Sequence, residues 1–523
     1  MGNFINLGNA AFTLSRNSEY VDKSGLISVV NSTINTEHMF SCVTRSRRFG
    51  KSMAAKMLCA YYDQSCDSHT LFDDLIIASN PSYEQHLNKY PVIYLDMNVF
   101  ITRYKTDNMV DIIDETIRED IYATFPECTK NEKDDLMDCL IKVTANKGQK
   151  FIFIIDEWDG ILREFEGKNA VVDRYVDWLR RMFKQIKTAD VFSCVYLTGI
   201  LPIKKYNTES ALNNFSEYSM VEPGDMAPFF GFTPSEVRYL ADKHGMDYEE
   251  MEKWYDGYHI GDETSIFNPN SVMEALRRHR CRSYWGKTGT YDAVAEYIQK
   301  NYGGLKDDII KMLTGLRCSV DPTGFQNDMS EVGSKDDVLT VLIHFGYLTY
   351  DWNEDVCFIP NREVAGEMTN AVKKTNWKTV ADALQQSKQL LEDTIRGNAE
   401  AVARAIDAIH SKETSILSYN DENSLACVIA LAFFYARNDY IIHREMPTGY
   451  GFADIVFQPR NNVEKPALII ELKHGKSAEE AIQQIKERKY EEHVREHTSD
   501  ILLVGINYDE KSKTHTCIIE KAQ

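Results

Sequence analysis

The feature that most constrains this 523-residue chain is the segment at positions 45–52, with the sequence Arg-Ser-Arg-Arg-Phe-Gly-Lys-Ser. It follows an apolar run at residues 39–43 and precedes a helical pattern at 53–62. A strand, a tight loop and a helix that begins with Gly-Lys-Ser form a phosphate-binding loop, whose amide groups and helix N-terminus face an anion. The segment therefore predicts an ATP site in which Lys51 contacts the β- and γ-phosphates and the Ser52 hydroxyl binds Mg²⁺.

The loop departs from the usual pattern at its first position, where Arg45 replaces a glycine five residues before Gly50. A basic surface turn that contains Gly-Lys-Ser by chance is the alternative explanation of the loop alone. Arg47 or Arg48 could also stabilise transition-state charge, either within one chain or toward a neighbouring subunit. The predicted nucleotide-binding residues are Arg45, Arg47, Arg48, Phe49, Gly50, Lys51, Ser52, Asp156 and Thr198.

Composition limits the class of protein. With 43% hydrophobic and 26% charged residues, the chain is long enough for about two to four globular domains. No apolar run approaches the roughly 18 residues of a membrane span, and the N-terminus lacks signal-peptide features. An odd number of cysteines, 11, without a Cys-x-x-Cys pair predicts reduced thiols. We expect a cytoplasmic protein that makes no membrane contact.

Charge limits the way in which the chain can meet nucleic acid. The formal net charge of −20 argues against a surface that coats nucleic acid non-specifically. A local basic channel remains compatible with it, and the candidate patches are 45–51, 180–187 and 277–282. Each patch is also explained as a solvated helix face or a phosphate contact.

Three further apolar strands follow the loop, at residues 92–96, 151–155 and 191–197. Near-continuous apolar strands that alternate with helices predict an α/β fold with a parallel sheet covered on both faces. Asp156 is placed to bind Mg²⁺ through water, and Glu157 to polarise the attacking water. Thr198 ends the neighbouring strand, where a polar sensor of the γ-phosphate is expected.

The remaining chain divides by pattern into smaller parts. A helix at 335–345, a turn and a hairpin predict a winged-helix-like module, which structural packing would also explain. The C-terminal hundred residues alternate helix and strands as a compact mixed-sheet domain. The predicted boundaries are 1–225 for a P-loop domain, 226–300 for a helical lid, 301–365 for the winged-helix-like module, 366–412 for a helical connector and 413–523 for a small α/β domain.

A second group of charged residues lies in that last domain. Glu471 and Lys473 are two positions apart on a strand and so share one face, and Asp454 on the preceding strand can lie beside them. Two carboxylates on neighbouring strands can share Mg²⁺, with Mn²⁺ as an alternative, and Lys473 can orient a water toward a phosphodiester. A cross-strand salt bridge is the alternative. Glu422 and Glu445 are further candidate ligands.

These residues resemble a bacterial and archaeal family of AAA-ATPase-like proteins with a C-terminal PD-(D/E)XK nuclease-like domain. The departures from its motifs are Ser46 for the usual proline, Trp158 for tyrosine and Phe452 for arginine. The N-terminal matches are residues 20–23, 45–52, 155–159, 198–199, 230–233, 254–258 and 268–269. The matching positions of the nuclease-like part are Glu445, Gly451, Asp454, Glu471, Lys473, Gln484 and Tyr490.

The resemblance implies an ATP-binding and ATP-hydrolysing protein coupled to a metal-dependent nuclease. Its catalytic residues would be Glu157, Asp454, Glu471 and Lys473, and its metal ligands Ser52, Asp156, Asp454 and Glu471. Nucleic acid is the expected partner, with DNA favoured, and a homo-oligomer is left open. Two alternatives remain: a nucleotide-dependent switch whose nuclease-like domain binds without cleaving, and an interaction protein with degenerate sites.

Overall fold

The computed structural model divides the chain into two compact units, residues 1–287 with 319–364 and residues 288–318 with 365–523. The described residues are 2–522 without 132, 166–168, 186, 204, 207–208, 211, 286–294, 297, 300–301, 327–331, 375–377, 413–428, 430, 449–450, 460–462, 491–493, 496–497 and 510.

The strands are numbered here in chain order. They are β1 Phe40–Thr44, β2 Val92–Asp96, β3 Phe151–Asp156, β4 Phe192–Gly199, β5 Lys205–Tyr206, β6 Glu209–Ser210, β7 Ser216–Tyr218, β8 Tyr258–Ile260, β9 Glu263–Ile266, β10 Cys318–Ser319, β11 Thr349–Asp351, β12 Val356–Phe358, β13 Tyr440–Thr448, β14 Gly451–Pro459, β15 Ala467–His474, β16 Ile501–Asp509 and β17 Thr514–Lys521.

The α-helices are numbered in the same way. They are α1 Ala10–Arg16, α2 Gly25–Thr33, α3 Lys51–Tyr62, α4 His69–Phe72, α5 Tyr83–His86, α6 Met97–Arg103, α7 Met109–Thr124, α8 Leu136–Lys147, α9 Gly160–Glu164, α10 Asn169–Phe183, α11 Thr188–Val191, α12 Pro234–His244, α13 Tyr248–Tyr255, α14 Pro269–Arg278, α15 Leu305–Leu313, α16 Lys335–Phe345, α17 Arg362–Lys374, α18 Lys378–Ile395, α19 Ala399–Lys412 and α20 Ala478–Glu487.

The first unit is built on a five-stranded sheet in the order β2-β3-β4-β1-β7. Every neighbouring pair in this sheet is parallel, as predicted. Strand β3 is buried along its whole length because alternate side chains enter different cores. Phe153 and Ile155 join the core that contains residues of α7, α8 and α10, whereas Ile152 and Ile154 join the core of α2 and α3. The α/β class with a covered parallel sheet is confirmed.

The carboxyl ends of the central strands bring three polar residues into one row. Asp156 on β3 is in register with Asp96 on β2 and with Thr198 on β4. Strand β1 pairs with β4 beside them and leads directly into the loop before α3. Ligands of open α/β sheets bind outside this edge, so the sheet itself places the candidate residues together.

Two smaller parts complete the first unit. Helices α12, α13 and α14 pack around a separate apolar core. Helix α16 is followed by the antiparallel hairpin β11–β12, which is the predicted order of helix, turn and hairpin. The compact units are separated at 287/288, 318/319 and 364/365, whereas the predicted five-part division stays a prediction.

The second unit contains a five-stranded mixed sheet in the order β13-β14-β15-β16-β17. Strands β15 and β16 are parallel, and the other neighbouring pairs are antiparallel. Helix α20 packs against β16 so closely that a Cβ atom on Gly505 would lie 2.5 Å from the Ala478 carbonyl oxygen. This close packing holds the helix over the face of β15.

Two predicted helix boundaries in this unit differ from the structure. The sequence pattern predicts a helix from Ser477 to about Arg495, but the helix ends at Glu487, because the backbone turns into the left-handed region at Lys489, with φ 53°. The apolar pattern at 424–436 also predicts a helix; residues 424–428 and 430 lie outside the described residues, and Phe434–Asn438 is a 3₁₀ helix.

Candidate functional site

The phosphate-binding loop has a conformation that depends on two left-handed residues. Gly50 caps α3 with φ 94°, and Arg48 has φ 69°. Lys51 is the first residue of α3, and its buried ammonium donates to the Ser46 carbonyl oxygen at 3.0 Å. Burial lowers the pKa of Lys51, with an opposing effect from Glu157. The lysine is therefore held across the loop, in the place where an anion would meet it.

Arg45, the residue in the position of the usual glycine, has a different environment from the rest of the loop. Its side chain is fully buried and donates to the carbonyl oxygens of Thr44, Tyr218 and Ser219 at 2.8–3.0 Å. Burial lowers its pKa to about 9. Its guanidinium thus joins the ends of β1 and β7, and its side chain does not line the cavities next to the loop.

The outer side of the loop is braced by residues far away in sequence, which we call the loop brace: Tyr258, Tyr284 and Gly346. Phe49 packs edge-on against Tyr258 with ring centroids 4.9 Å apart, and Arg48 donates to the Tyr284 carbonyl oxygen at 2.7 Å. Gly346, with φ 80°, approaches Ser46 so closely that a Cβ atom would lie 2.6 Å from the serine Cβ. The Tyr258 hydroxyl donates to the Gly346 carbonyl oxygen at 2.9 Å.

Two cavities flank the loop. The first, of about 370 Å³, is largely apolar and includes Gly50, Lys51 and Ser52 in its wall. The second, of about 290 Å³, is lined by Arg47, Arg48, Asn98, Glu157, Gly160, Arg163 and Glu164. Arg48 and Glu157 line both cavities, so the two spaces adjoin at the loop.

Asp156 has the burial expected of a residue at the sheet edge. It is 2% exposed, and burial raises its pKa to about 6 against an opposing effect of the nearby Ser52 hydroxyl. Tyr94 donates to Asp156 Oδ2 at 3.3 Å. In the described part of the chain, Asp156 Oδ1 and the buried Thr198 hydroxyl have no hydrogen-bond partner. Two polar atoms therefore face the loop with unused bonding capacity.

Glu157 is held by cations in a strained backbone position. Its φ is 55°, a value that favours glycine. Its Oε2 accepts from Arg163 Nη2 at 2.6 Å, and its Oε1 lies 3.9 Å from Lys51 Nζ. The carboxylate thus lies between the loop lysine and the first turn of α9.

Two residues of this region had no predicted role: Asp159, which lies within the matched motif at 155–159, and Arg163, which lies outside it. Asp159 is fully buried and accepts from the backbone amides of Ile200 and Leu201 at 3.2 and 3.0 Å. Arg163 donates to it at 2.9 Å. The available signal was spacing, because Asp159 and Arg163 are four residues apart at the start of a helix.

The C-terminal candidates meet at the junction of β14 and β15. Ile455 pairs with Ile470 in this antiparallel ladder, so the next position places Asp454 opposite Glu471. The Leu472 amide donates to Asp454 Oδ2 at 2.7 Å. The predicted carboxylate pair is therefore brought together across neighbouring strands.

Glu471 is the most constrained residue of this group. It is 1% exposed and accepts at Oε1 from Lys473 Nζ at 2.8 Å and from the Gln484 amide of α20. Its Oε2 has no partner among the described residues. Burial, followed by the Asp454 charge, raises its pKa to about 7, against the effect of Lys473. Its surroundings thus favour the protonated form more than those of an exposed glutamate do.

Gln484 and Tyr490, two of the four further candidates of this site, contact each other beside Glu471. Gln484 also donates to the Tyr490 hydroxyl at 3.4 Å, and the Arg488 guanidinium donates to the same hydroxyl at 3.2 Å. Arg488 was not predicted. Glu422 lies outside the described residues, and Glu445 lies on β13 with a side chain outside the described part of the structure.

Two known families match separate regions of the chain, and each region contains one of the two sites. Residues 9–208 match a family described as predicted AAA-ATPase, and residues 420–517 match the PD-(D/E)XK nuclease superfamily. The chain joins an AAA-ATPase-like region to a PD-(D/E)XK nuclease-like region. This is the domain arrangement that the sequence motifs predicted.

One curated relative has the same extent. An uncharacterized protein in the vnfD 5' region of Azotobacter chroococcum mcd 1 is 22% identical over 516 residues, which cover 95% of this chain and 94% of the relative. Its description adds no activity to the AAA-ATPase-like and nuclease-like regions.

The similar solved structures include two Aeropyrum pernix proteins. The ORC2 protein in ADPNP–ADP complexes matches with a TM-score of 0.25 and 9% identity, covering 69% of this chain and 98% of its own. The ORC1 protein in complex with DNA matches with a TM-score of 0.22 and 12% identity, covering 72% and 98%. Overlaps this low do not bear on the site of the AAA-ATPase-like region.

Two features are absent from the described part of the chain. No helix there is long and apolar enough to span a membrane. Likewise, no three His, Cys, Asp or Glu side chains in the described ranges are grouped as a metal site. The nuclease-like site therefore offers two described carboxylates, Asp454 and Glu471.

Proposed function

We propose that the AAA-ATPase-like region binds ATP with Mg²⁺ and hydrolyses it. The observation that carries this proposal is the set of groups around the loop: a buried Lys51, a buried Asp156 with one unpartnered oxygen in the described structure, and Glu157 beside the lysine. The Ser52 hydroxyl and Asp156 Oδ1 are hard oxygen donors, and they fit Mg²⁺. Bound Mg²⁺ would neutralise charge that develops on the phosphates.

Each residue of this site has a role that follows from its position. Lys51 neutralises the terminal phosphates at the start of α3, where the helix dipole also favours an anion. Glu157 accepts the proton of the attacking water. Thr198, whose hydroxyl is buried at the sheet edge, donates to the terminal phosphate and so reports its presence.

We further propose that the nuclease-like region cleaves a phosphodiester of nucleic acid with Mg²⁺ or Mn²⁺, and that DNA is its substrate. Asp454 and Glu471 present carboxylate oxygens from neighbouring strands, and Glu471 Oε2 is unpartnered in the described structure. These donors fit a hard divalent cation. Lys473 orients the attacking water, and Gln484 fixes the Glu471 carboxylate. A bound metal would stabilise negative charge at phosphorus.

The coupling of ATP turnover to cleavage is part of the same proposal. It is supported by the presence of both regions in one chain. A homo-oligomer and a cytoplasmic location remain predictions of the sequence.

One observation favours a second function, a nucleotide-dependent switch that binds without cleaving. Glu471 already accepts from Lys473 and Gln484, and burial and the Asp454 charge raise its pKa to about 7. A carboxyl whose Oε1 is held by two donors, and whose protonated form is favoured by burial, can serve as an internal contact in a binding module. In that case Lys473→Ala would leave the cellular function intact.

A cleavage assay separates the two functions. Purified protein is incubated with linear, circular and single-stranded DNA and with RNA, with Mg²⁺ or Mn²⁺, with and without ATP. Asp454→Ala and Lys51→Ala are compared with Asp500→Ala, which removes an exposed carboxylate of the same unit. Loss of cleavage in Asp454→Ala but not in Asp500→Ala establishes the nuclease. Additional loss of cleavage in Lys51→Ala establishes that cleavage is coupled to ATP. ATP turnover without cleavage of any substrate favours the switch.

A further inference from the structure

The second cavity beside the loop is rich in arginine. Arg47, Arg48 and Arg163 line its wall together with Glu157 and Glu164. Lys51 lies within 3.9 Å of the same Glu157. Burial lowers the pKa of Arg47, and the charge of Arg163 adds to this effect, against those of Glu157 and Asp159. Among the residues that line the cavity, three arginines outnumber two carboxylates, and the buried Asp159 bonded to Arg163 lies next to them.

One of these arginines, Arg163, bonds two carboxylates beside the loop. Arg163 donates to Glu157 at 2.6 Å and to Asp159 at 2.9 Å, and its side chain is 12% exposed. Asp159 accepts from the amides of Ile200 and Leu201, just beyond Thr198. Arg163 is thus fixed at one nitrogen by a buried carboxylate, while its Nη2 is bonded to Glu157.

The two cavities fit different ends of a nucleotide. The larger one has an apolar wall that includes Val21, Met53, Met57, Phe232 and Met273, which suits a planar base. The arginine-lined cavity adjoins it at Arg48 and Glu157. A nucleotide with its base in the first cavity and its phosphates at Lys51 extends toward the second.

We infer that the arginine-lined cavity receives the terminal phosphoryl group of the nucleotide, and that Arg163 of the same chain exchanges Glu157 for that phosphate. This inference rests on the proposed ATP hydrolysis and adds a regulation to it. Without a terminal phosphate, Arg163 holds Glu157. With ATP bound, Arg163 bonds the phosphate and Glu157 is released to the water.

The released carboxylate then completes the reaction. Water oxygen attacks the γ-phosphorus, its proton passes to Glu157, and the bond from phosphorus to the β–γ bridging oxygen breaks. ADP leaves with the electron pair of that bond, and the products are ADP and inorganic phosphate. Arg163 stabilises the charge on the transferred group, so no arginine from a second chain is required.

Competition between Glu157 and phosphate is tested by equilibrium binding. The probes are a non-hydrolysable ATP analogue and ADP, titrated by calorimetry into wild type, Glu157→Gln, Arg163→Ala and the double variant. We expect Glu157→Gln to tighten analogue binding about tenfold in the presence of Arg163 and less than about twofold without it, with ADP unchanged. Equal tightening in both backgrounds, or none, overturns the exchange.

Measurements of ATP turnover test whether Arg163 acts within its own chain. Arg163→Ala is expected to lower kcat by about 10²-fold or more, with partial recovery in Arg163→Lys. The control is Arg174→Ala, which removes an exposed arginine of the same unit and should keep wild-type turnover. An equimolar mixture of Lys51→Ala and Arg163→Ala should show only the sum of the two residual activities. Recovery of activity in the mixture overturns action within one chain.

The measurements distinguish failure of the exchange from failure of the proposed ATP hydrolysis. Wild type that binds neither the analogue nor ADP would refute ATP hydrolysis itself. Wild type that binds and hydrolyses ATP, with an Arg163→Ala variant that turns over at the same rate, would refute only the exchange.

Discussion

The phosphate-loop site and the nuclease-like site both pair buried carboxylates with a lysine, but they are held in place by different means. At the loop, backbone conformation determines the geometry, through left-handed residues at Arg48, Gly50 and Glu157. At the nuclease-like site, side chains from β14, β15 and α20 bond one another, with Glu471 as the common acceptor. The first site depends on turns and the second on packing between a strand and a helix.

The difference also concerns the charge state of the central carboxylate. Glu157 is held by Arg163 and lies near Lys51. Glu471 is bonded to one lysine but is close to Asp454, and its pKa is raised to about 7. The first carboxylate can be released by an arriving anion, whereas the second is set to lose a proton to an arriving cation. The phosphate-loop site is therefore suited to an anion, and the nuclease-like site to a cation.

The largest expected effect separates the two sites completely. Lys51→Ala should lower ATP turnover by about 10²–10³-fold, because it removes the cation at the phosphates, and leave Mn²⁺ binding at Asp454 unchanged. Asp454→Ala should abolish Mn²⁺ binding there and keep ATP turnover. Turnover and calorimetric Mn²⁺ titration measure the two effects. Loss of both properties in either variant would contradict the separation.

The next effect probes the packing that the nuclease-like site requires. Gly505→Ala places a Cβ atom 2.5 Å from the Ala478 carbonyl oxygen, so α20 must shift away from the sheet. We expect a loss of about 1–3 kcal/mol in the free energy of unfolding and a weaker metal site, because Gln484 moves with the helix. Chemical denaturation and Mn²⁺ titration measure these effects.

Gly366→Ala is the matched control. Gly366 lies within α17, and no atom lies near the position of its missing Cβ. The added methyl group should therefore stabilise the helix by up to about 1 kcal/mol. A Gly505→Ala variant as stable as this control would show that the close contact between helix and strand is not required.

A smaller effect tests the raised pKa of Glu471, which distinguishes the nuclease-like site from the phosphate-loop site. Glu471 has a folded-state pKa of about 7 against an ordinary value of 4.5, so the metal-free folded state binds its proton more tightly than the unfolded state. Relative to Glu471→Gln, the stability of wild type should be highest below pH 4.5 and fall as pH rises to about 7. Mn²⁺ affinity should rise over the same interval, because the metal needs the carboxylate. Thermal unfolding against pH measures the first trend, and a flat difference would contradict it.

The smallest effect lies at the edge of the side-chain network. Arg488 is exposed, and its hydrogen bonds lead to Glu471 through the Tyr490 hydroxyl and Gln484. Arg488→Ala should lower cleavage by less than about threefold, whereas Gln484→Ala, which removes a direct donor to Glu471, should lower it by about tenfold or more. Initial rates of cleavage rank the two variants. The reverse order would place the metal-positioning role on Tyr490 and Arg488.

The sequence predicted the elements with local signals and missed those that depend on distant partners. Apolar strands ending in Asp156 and Thr198, and the shared face of Glu471 and Lys473, follow from period and spacing alone. The buried position of the Arg45 side chain could not be predicted, because two of its three acceptors are carbonyl groups about 170 residues away, at Tyr218 and Ser219.

Arg163 was missed for a related reason. An arginine in the first turns of a helix is ordinary in any soluble sequence. Its spacing from Asp159 was a signal, but its bond to Glu157 depends on the left-handed conformation of that glutamate. The end of α20 was misplaced because periodicity continues past Lys489, where the backbone turns. Backbone conformation of this kind leaves no signal in the pattern of apolar residues.

The loop brace has a consequence for protein engineering. A fragment cut at residue 208, where the match to the AAA-ATPase family ends, would keep every residue of the phosphate loop but lose Tyr258, Tyr284 and Gly346. Phe49 would then present its ring to water, and Ser46 and Arg48 would lose their outer neighbours. We therefore expect a fragment that keeps the conformation of the loop to need residues through Gly346, so the region that matches the family is shorter than the region that supports its loop.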